Sequence, residues 1–258
     1  MDLFLRESGP AGAPAIVFLH GGRMSGWSWE PVAERMRGYR CLIPDLPQYG
    51  NSLAQGPFEI DRATDAVAGL IRARVDTGRA HLVGFSLGAQ VGVQLLATEP
   101  ELVDRAVLCG TMVNAWPGVR LTQRMAGLLA RPSWTRRLMT RRLDADFDVP
   151  AARIDEYRED VRLIVGRRFA GIVVASAGFT APDGLAESGT PTLFLTGAEE
   201  LPFVRRSAAA LAHRMPNGID RVAAGMGHAW PLRYPELFSR TVDAWLTGHP
   251  LPPEISLP

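Results

Sequence analysis

The chain has 258 residues, 47% hydrophobic and 21% charged, with a formal net charge of +1. That is long enough for one full core with an insertion, and too ordinary in composition for general disorder. The balanced charge excludes functions built on a field for nucleic acid or an anionic membrane surface, and because all 28 basic residues are arginine, chemistry that needs a lysine base or Schiff base is excluded too.

The N-terminal stretch "MDLFLRESGPAGAPAIVFLH" has no basic segment followed by a long apolar run and cleavage site. No stretch approaches the roughly 18 consecutive apolar residues of a membrane span. A soluble cytoplasmic protein, monomer or homodimer, is the expectation. Cys41 and Cys109 each sit inside an apolar run, which predicts buried reduced thiols.

In chain order, short apolar runs appear at "AIVFLH" (15–20), "CLIPD" (41–45), "HLVGF" (81–85), "RAVLCG" (105–110) and "TLFLT" (192–196). None alternates cleanly between polar and apolar residues, which predicts strands of a parallel sheet covered on both faces. Between them, helical spacing relates Trp29, Val32, Ala33 and Met36, then Ala63, Val67, Leu70 and Ile71, then Leu87, Val91 and Leu95. Near the C-terminus Phe238, Val242, Trp245 and Leu246 repeat the pattern. Strand–helix alternation predicts an α/β fold with a doubly wound, mostly parallel sheet. The alternation stops after Gly110. From Ala115 to Leu185 the segments "VRLTQRMAGLLA", "SWTRRLMTRRL" and "PAARIDEYREDVRLIVGRRF" read as successive helices broken at Pro132 and Pro150. The expected organisation is a core of residues 1–114 and 186–258 with a helical cap, 115–185, over one end of the sheet. Within that cap, Asp155, Glu156, Glu159 and Asp160 are expected to form solvated faces with the neighbouring arginines.

"GFSLG" (84–88) follows a strand and opens a helix, the context of a nucleophile elbow: a strained turn holds the serine clear of the backbone, and side chains at the flanking positions would collide with neighbouring strands. The helix that begins there aims its first amides at negative charge near the hydroxyl. Upstream, His20-Gly21-Gly22 leaves a strand in a glycine-rich bend that can present backbone N–H groups to an oxyanion. The candidate donors are the amides of Gly22 or Arg23 and of Leu87. His20, where strand meets loop, reads as a hydrogen-bonding structural residue rather than a base.

With these pieces the chain resembles the α/β-hydrolase fold superfamily, of the serine-hydrolase type with a helical cap. The matching stretches are "LHGG" (19–22), "IPDLPQYGNS" (43–52), "VGFSLGAQVG" (83–92), "PTLFLTGAEE" (191–200) and "GMGHAWPLRYPELF" (225–238). They keep the family's order and spacing over essentially the whole chain outside the cap. One departure is visible: the family's D-x-P-G-H-G-x-S appears as Asp45-Leu46-Pro47-Gln48-Tyr49-Gly50-Asn51-Ser52, a change expected to affect the pocket wall more than the reaction type.

The resemblance implies a triad in the order nucleophile, acid, histidine. It places Ser86 as nucleophile and His228, in "GMGH", as base; His81, His213 and His249 lie elsewhere. The acid falls at Glu200, with Glu199 as the alternative one position earlier. The segment "TMVNAW" after "AVLCG", where some members carry the acid, has no carboxylate. Met24, Trp27, Met112, Trp116, Phe179, Leu201 and Trp230 are expected to line a mostly hydrophobic substrate pocket. Arg23 reads as a solvated arginine. No cofactor and no metal is implied. The function that follows is hydrolysis of a small, largely hydrophobic carboxylic ester or lactone through an acyl-enzyme. Cleavage of a C–C bond, cofactor-free perhydrolysis and ligand binding without catalysis stand as alternatives. The serine argues against the carboxylate-nucleophile branches of the fold, and the lack of lysine against its hydroxynitrile lyases.

Overall fold

The computed structural model describes residues 2–113, 149–164 and 167–258. Eight strands form one sheet: β1 (Leu5–Ser8), β2 (Ala15–Leu19), β3 (Arg40–Pro44), β4 (Ala80–Phe85), β5 (Val103–Cys109), β6 (Thr192–Gly197), β7 (Gly218–Ala223) and β8 (Ile255–Ser256). Their order is β1-β3-β2-β4-β5-β6-β7-β8. The six inner strands are parallel, while β1 and β8 run antiparallel at the two edges. Every residue of β2 and β6 is buried, as the unbroken apolar runs predict for strands with both faces covered.

Alternate strand residues feed two cores. Val17, Leu19, Leu82, Leu108 and Phe194 pack on one side with Ala63, Val67, Val91, Leu95 and Leu211. Those partners come from α2 (Ile60–Arg74), α3 (Leu87–Thr98) and, further on, Pro202–Arg214. Ile16, Phe18, Val83, Phe85, Val107 and Leu195 face the other side and meet Val32, Phe238 and Val242. Val32 belongs to α1 (Glu30–Ala33), and the other two to the C-terminal helix Pro235–Thr247. Gly248 adopts φ +74 after that helix and ends it in the left-handed turn glycine favours.

Between β5 and β6 the described residues include two helices and no strand: α4 (Ile154–Ile164) and α5 (Arg167–Ala177). The first two helical segments expected in this stretch, 119–130 and 133–143, lie outside the described residues. Three further helices follow: α6 (Pro202–Arg214), α7 (Trp230–Arg233) and α8 (Pro235–Thr247).

Candidate active site

β2 and β4 are neighbours, and the chain leaves them in opposite directions, β2 towards β3 and β4 towards β5. At such a point open α/β sheets hold their ligands, outside the C-terminal ends of the strands. Ser86 sits there, between β4 and α3, with φ +51 and ψ −109. A non-glycine residue rarely adopts a positive φ. The turn is held by the Ser86 amide, which donates to the Cys109 carbonyl at 2.8 Å, and by the Gln90 amide, which donates to the Ser86 carbonyl. It is also tight: a Cβ on Gly88 would lie 2.2 Å from the Leu19 carbonyl oxygen, and one on Gly84 would lie 2.9 Å from Ala89 Cα. The spacing of those two glycines about the serine is therefore a steric requirement.

His228 precedes α7 and reaches the same rim. Its ring lies 4.9 Å from that of Phe85, the residue before Ser86. A Cβ on Gly110, the residue after Cys109, would lie 2.6 Å from His228 Cε1, so the imidazole is seated directly on the strand end that holds the Ser86 amide. The ring's Nδ1 lies 3.1 Å from Glu200 Oε2. Glu200 is 5% exposed, and its Oε1 accepts from the Gly197 amide at 3.1 Å. Glu199 is exposed, and only its backbone joins the arrangement, donating to the Met226 carbonyl at 2.9 Å. Of the two adjacent carboxylates, the structure brings Glu200 to the histidine.

The bend after β2 forms the opposite wall. Arg23 holds φ +69 there, and the space at Gly22 opens towards Leu87, whose Cβ would be 4.0 Å from a Cβ on Gly22. Leu87 is the first residue of α3, so its amide has no partner within the helix. His20 is fully buried; its Nε2 accepts from the Leu46 amide, and Nδ1 lies 2.9 Å from the Gly21 carbonyl. This pairing fits the neutral tautomer with the proton on Nδ1, and burial pushes the ring's pKa down to about 4. His20 therefore ties the Gly-rich bend to the loop after β3. Asp45 ties the same two loops together, accepting from the Gly26 and Asn51 amides and pairing with Arg6 at 2.6 Å.

One contact overturns an expectation. Asp160, read as part of a solvated face, is 4% exposed and accepts from Trp27 Nε1 at 2.7 Å. The other acids of α4 are paired as expected, Glu156 with Arg153, Asp155 with Arg158 and Glu159 with Arg162. Asp160 differs because it lies on the buried stripe of Tyr157, Val161 and Ile164, and it joins α4 to the bend after β2. Burial pushes its carboxyl up to about 6, against the lowering effect of the Trp27 and Ser25 hydrogen bonds; Asp45 adds a small push upward. An acid held above its unfolded value keeps its proton in the folded state after the unfolded chain has lost it. Stability from this group therefore falls as pH rises from about 4 to about 6, and the penalty is complete above that window. Asp160→Asn, which keeps an acceptor for Trp27, is expected to be about 1–3 kcal/mol more stable than the wild type at pH 8. The gap should close below about pH 4 in urea titrations, and a pH-independent difference would show that the carboxylate carries no such burden.

The remaining expected pocket residues divide. Met24, Trp27 and Trp230 are packed within the second core, where the Trp230 ring stacks edge-on against Phe238 at 5.1 Å. Phe179 is buried in the first core and Leu201 is 63% exposed. Met112 is half-buried two residues past Gly110, and its carbonyl accepts from Gln90 Nε2 at 2.8 Å. Trp116 lies outside the described residues. Among the described residues no cluster of three or more His, Cys, Asp or Glu could hold a metal ion, and no helix is long and apolar enough to cross a membrane.

Residues 16–241 match the alpha/beta hydrolase family. The chain belongs to that family. An AB hydrolase superfamily protein of Gibberella zeae is 34% identical over 110 residues, 42% of this chain and 39% of that protein. A pimeloyl-(acyl-carrier protein) methyl ester esterase of Pectobacterium carotovorum is 25% identical over 251 residues, 91% of this chain and 95% of that protein. Among solved structures, a thermophilic esterase from Thermogutta terrifontis superposes with a TM-score of 0.78 at 22% identity, covering 95% of this chain and 93% of that one. At that identity the superposition speaks for the α/β-hydrolase fold alone. The eight-stranded, mostly parallel sheet described above is the fold that the resemblance implied.

Proposed function

We propose that this α/β hydrolase is a serine hydrolase of the carboxylesterase type, cleaving a small, largely hydrophobic carboxylic ester or lactone through an acyl-enzyme. The observation that carries this reading is the hydrogen bond of His228 Nδ1 to the buried Glu200 carboxylate, on the rim where Ser86 is held in its elbow. A carboxylate on Nδ1 fixes the tautomer in which Nε2 carries no proton and can act as a base. In the proposed reaction His228 takes the Ser86 proton as Oγ attacks the carbonyl. The amides of Leu87 and of Gly22 or Arg23 receive the negative charge that develops on oxygen. The same histidine protonates the leaving alcohol and then activates the water that releases the acid. The esterase names of the relatives support the bond type. Residues 115–185 are proposed as a cap over this rim, with the Trp27–Asp160 hydrogen bond as one of its attachments.

Release of p-nitrophenol from acetate, butyrate and octanoate esters, together with labelling by a fluorophosphonate, tests the reading. Turnover and labelling that both vanish in Ser86→Ala are expected; their persistence would end it. The seat of the imidazole gives a second test. In Gly110→Ala the new Cβ would lie 2.6 Å from His228 Cε1 and 3.0 Å from Nδ1, at a position with φ +65. The ring must move, and kcat/KM should fall by about a hundredfold or more, as misplacement on the order of an ångström does. The left-handed backbone should add about 1–2 kcal/mol of destabilisation. Unchanged kcat/KM in a folded variant would remove the imidazole from the reaction.

A further inference from the structure

The loop that departs from the family pattern carries a buried hydroxyl that donates to no acceptor among the described residues. Tyr49 is fully buried, and its hydroxyl proton finds no acceptor among the described residues. Leaving a buried donor unsatisfied costs stability, so a phenylalanine would be the more stable choice unless something binds there. The ring itself is firmly placed. It meets His20 edge-on at 4.9 Å and Phe58 at 6.1 Å, and the loop bearing it is anchored by His20 at Leu46 and by Asp45 at Asn51. Its hydroxyl points at the bend after β2: a Cβ on Gly22 would lie 3.7 Å from it and 4.0 Å from Leu87 Cβ. Burial pushes the phenol well above its ordinary value, while the Arg23 amide and guanidinium pull weakly the other way. Tyr49 therefore keeps its proton and is a donor.

We propose that the Tyr49 hydroxyl is a third donor to the oxyanion, completing its hydrogen bond only when substrate oxygen enters the space between Gly22 and Leu87. This rests on the serine-hydrolase reading, since it is the tetrahedral intermediate that supplies the acceptor. A buried donor that is unpaired at rest and paired in the transition state stabilises the latter selectively, which raises kcat rather than only lowering KM.

Tyr49→Phe separates the two roles a buried tyrosine can have. The rate of Ser86 labelling by a fluorophosphonate, whose P=O oxygen would occupy the oxyanion's place, is expected to fall about tenfold or more. kcat/KM for p-nitrophenyl butyrate should fall by about 10- to 100-fold, at or below what loss of one oxyanion donor does elsewhere. Tm should hold or rise, because an unsatisfied hydroxyl has been removed. Rates within twofold of the wild type would overturn the proposal, and so would a rate loss that comes with a clear drop in Tm, which marks a packing role. Failure of the serine-hydrolase reading looks different: the wild type itself is then not labelled at Ser86, and the proposal falls with it.

Discussion

Replacing Ser86 by alanine is expected to lower kcat for a p-nitrophenyl ester by about 10⁴- to 10⁶-fold, the range seen when a nucleophile is removed from a serine triad. The fold should survive. The turn is held by backbone bonds, the Ser86 amide on Cys109 and the Gln90 amide on the Ser86 carbonyl. Alanine keeps both. Comparing kcat and Tm for the two proteins therefore isolates the hydroxyl. A loss of tenfold or less would mean that bound water, not Ser86, attacks the carbonyl.

Glu200→Gln is expected to lower kcat by about 10³- to 10⁴-fold, and Glu199→Gln by less than about threefold. The asymmetry follows from what each carboxylate touches. Oε1 of Glu200 must accept from the Gly197 amide, so a glutamine there turns its carbonyl oxygen to Gly197 and its amide group to His228 Nδ1. That amide can only donate. The imidazole must then accept at Nδ1 and carry its proton on Nε2, the wrong tautomer for receiving a proton from serine. Glu199 is exposed and contributes a backbone amide that glutamine retains. Steady-state rates of the two variants at pH 8 decide the matter, and the reverse ranking would move the acid by one position.

Much of this arrangement was legible in the sequence because local rules and the fold agree. The five continuous apolar runs are the inner strands β2 to β6, whose two covered faces suppress alternation. β1, β7 and β8 went unread for the opposite reason. "LRES" and "IS" are short edge strands, and five of the six residues of "GIDRVA" are only half-buried, so none carries an apolar run. Two site features were also missed. Asp160 is charged, and charge on a cap helix suggested solvent; its spacing from Tyr157, Val161 and Ile164 is the signal that places it inward. Tyr49 was visible as a departure from the family's loop, but only the three-dimensional packing reveals that its hydroxyl is buried with no acceptor among the described residues.

The turn at the foot of β4 has a practical consequence. Asp76 is exposed in that turn, and β4 then runs six residues from Ala80 to Phe85 before Ser86. At about 3.3 Å per residue, a fluorophore or surface tether attached at Asp76 would sit roughly 20 Å or more from the Ser86 hydroxyl, at the opposite end of the strand. An immobilised form of the protein anchored there would present its working rim to solution.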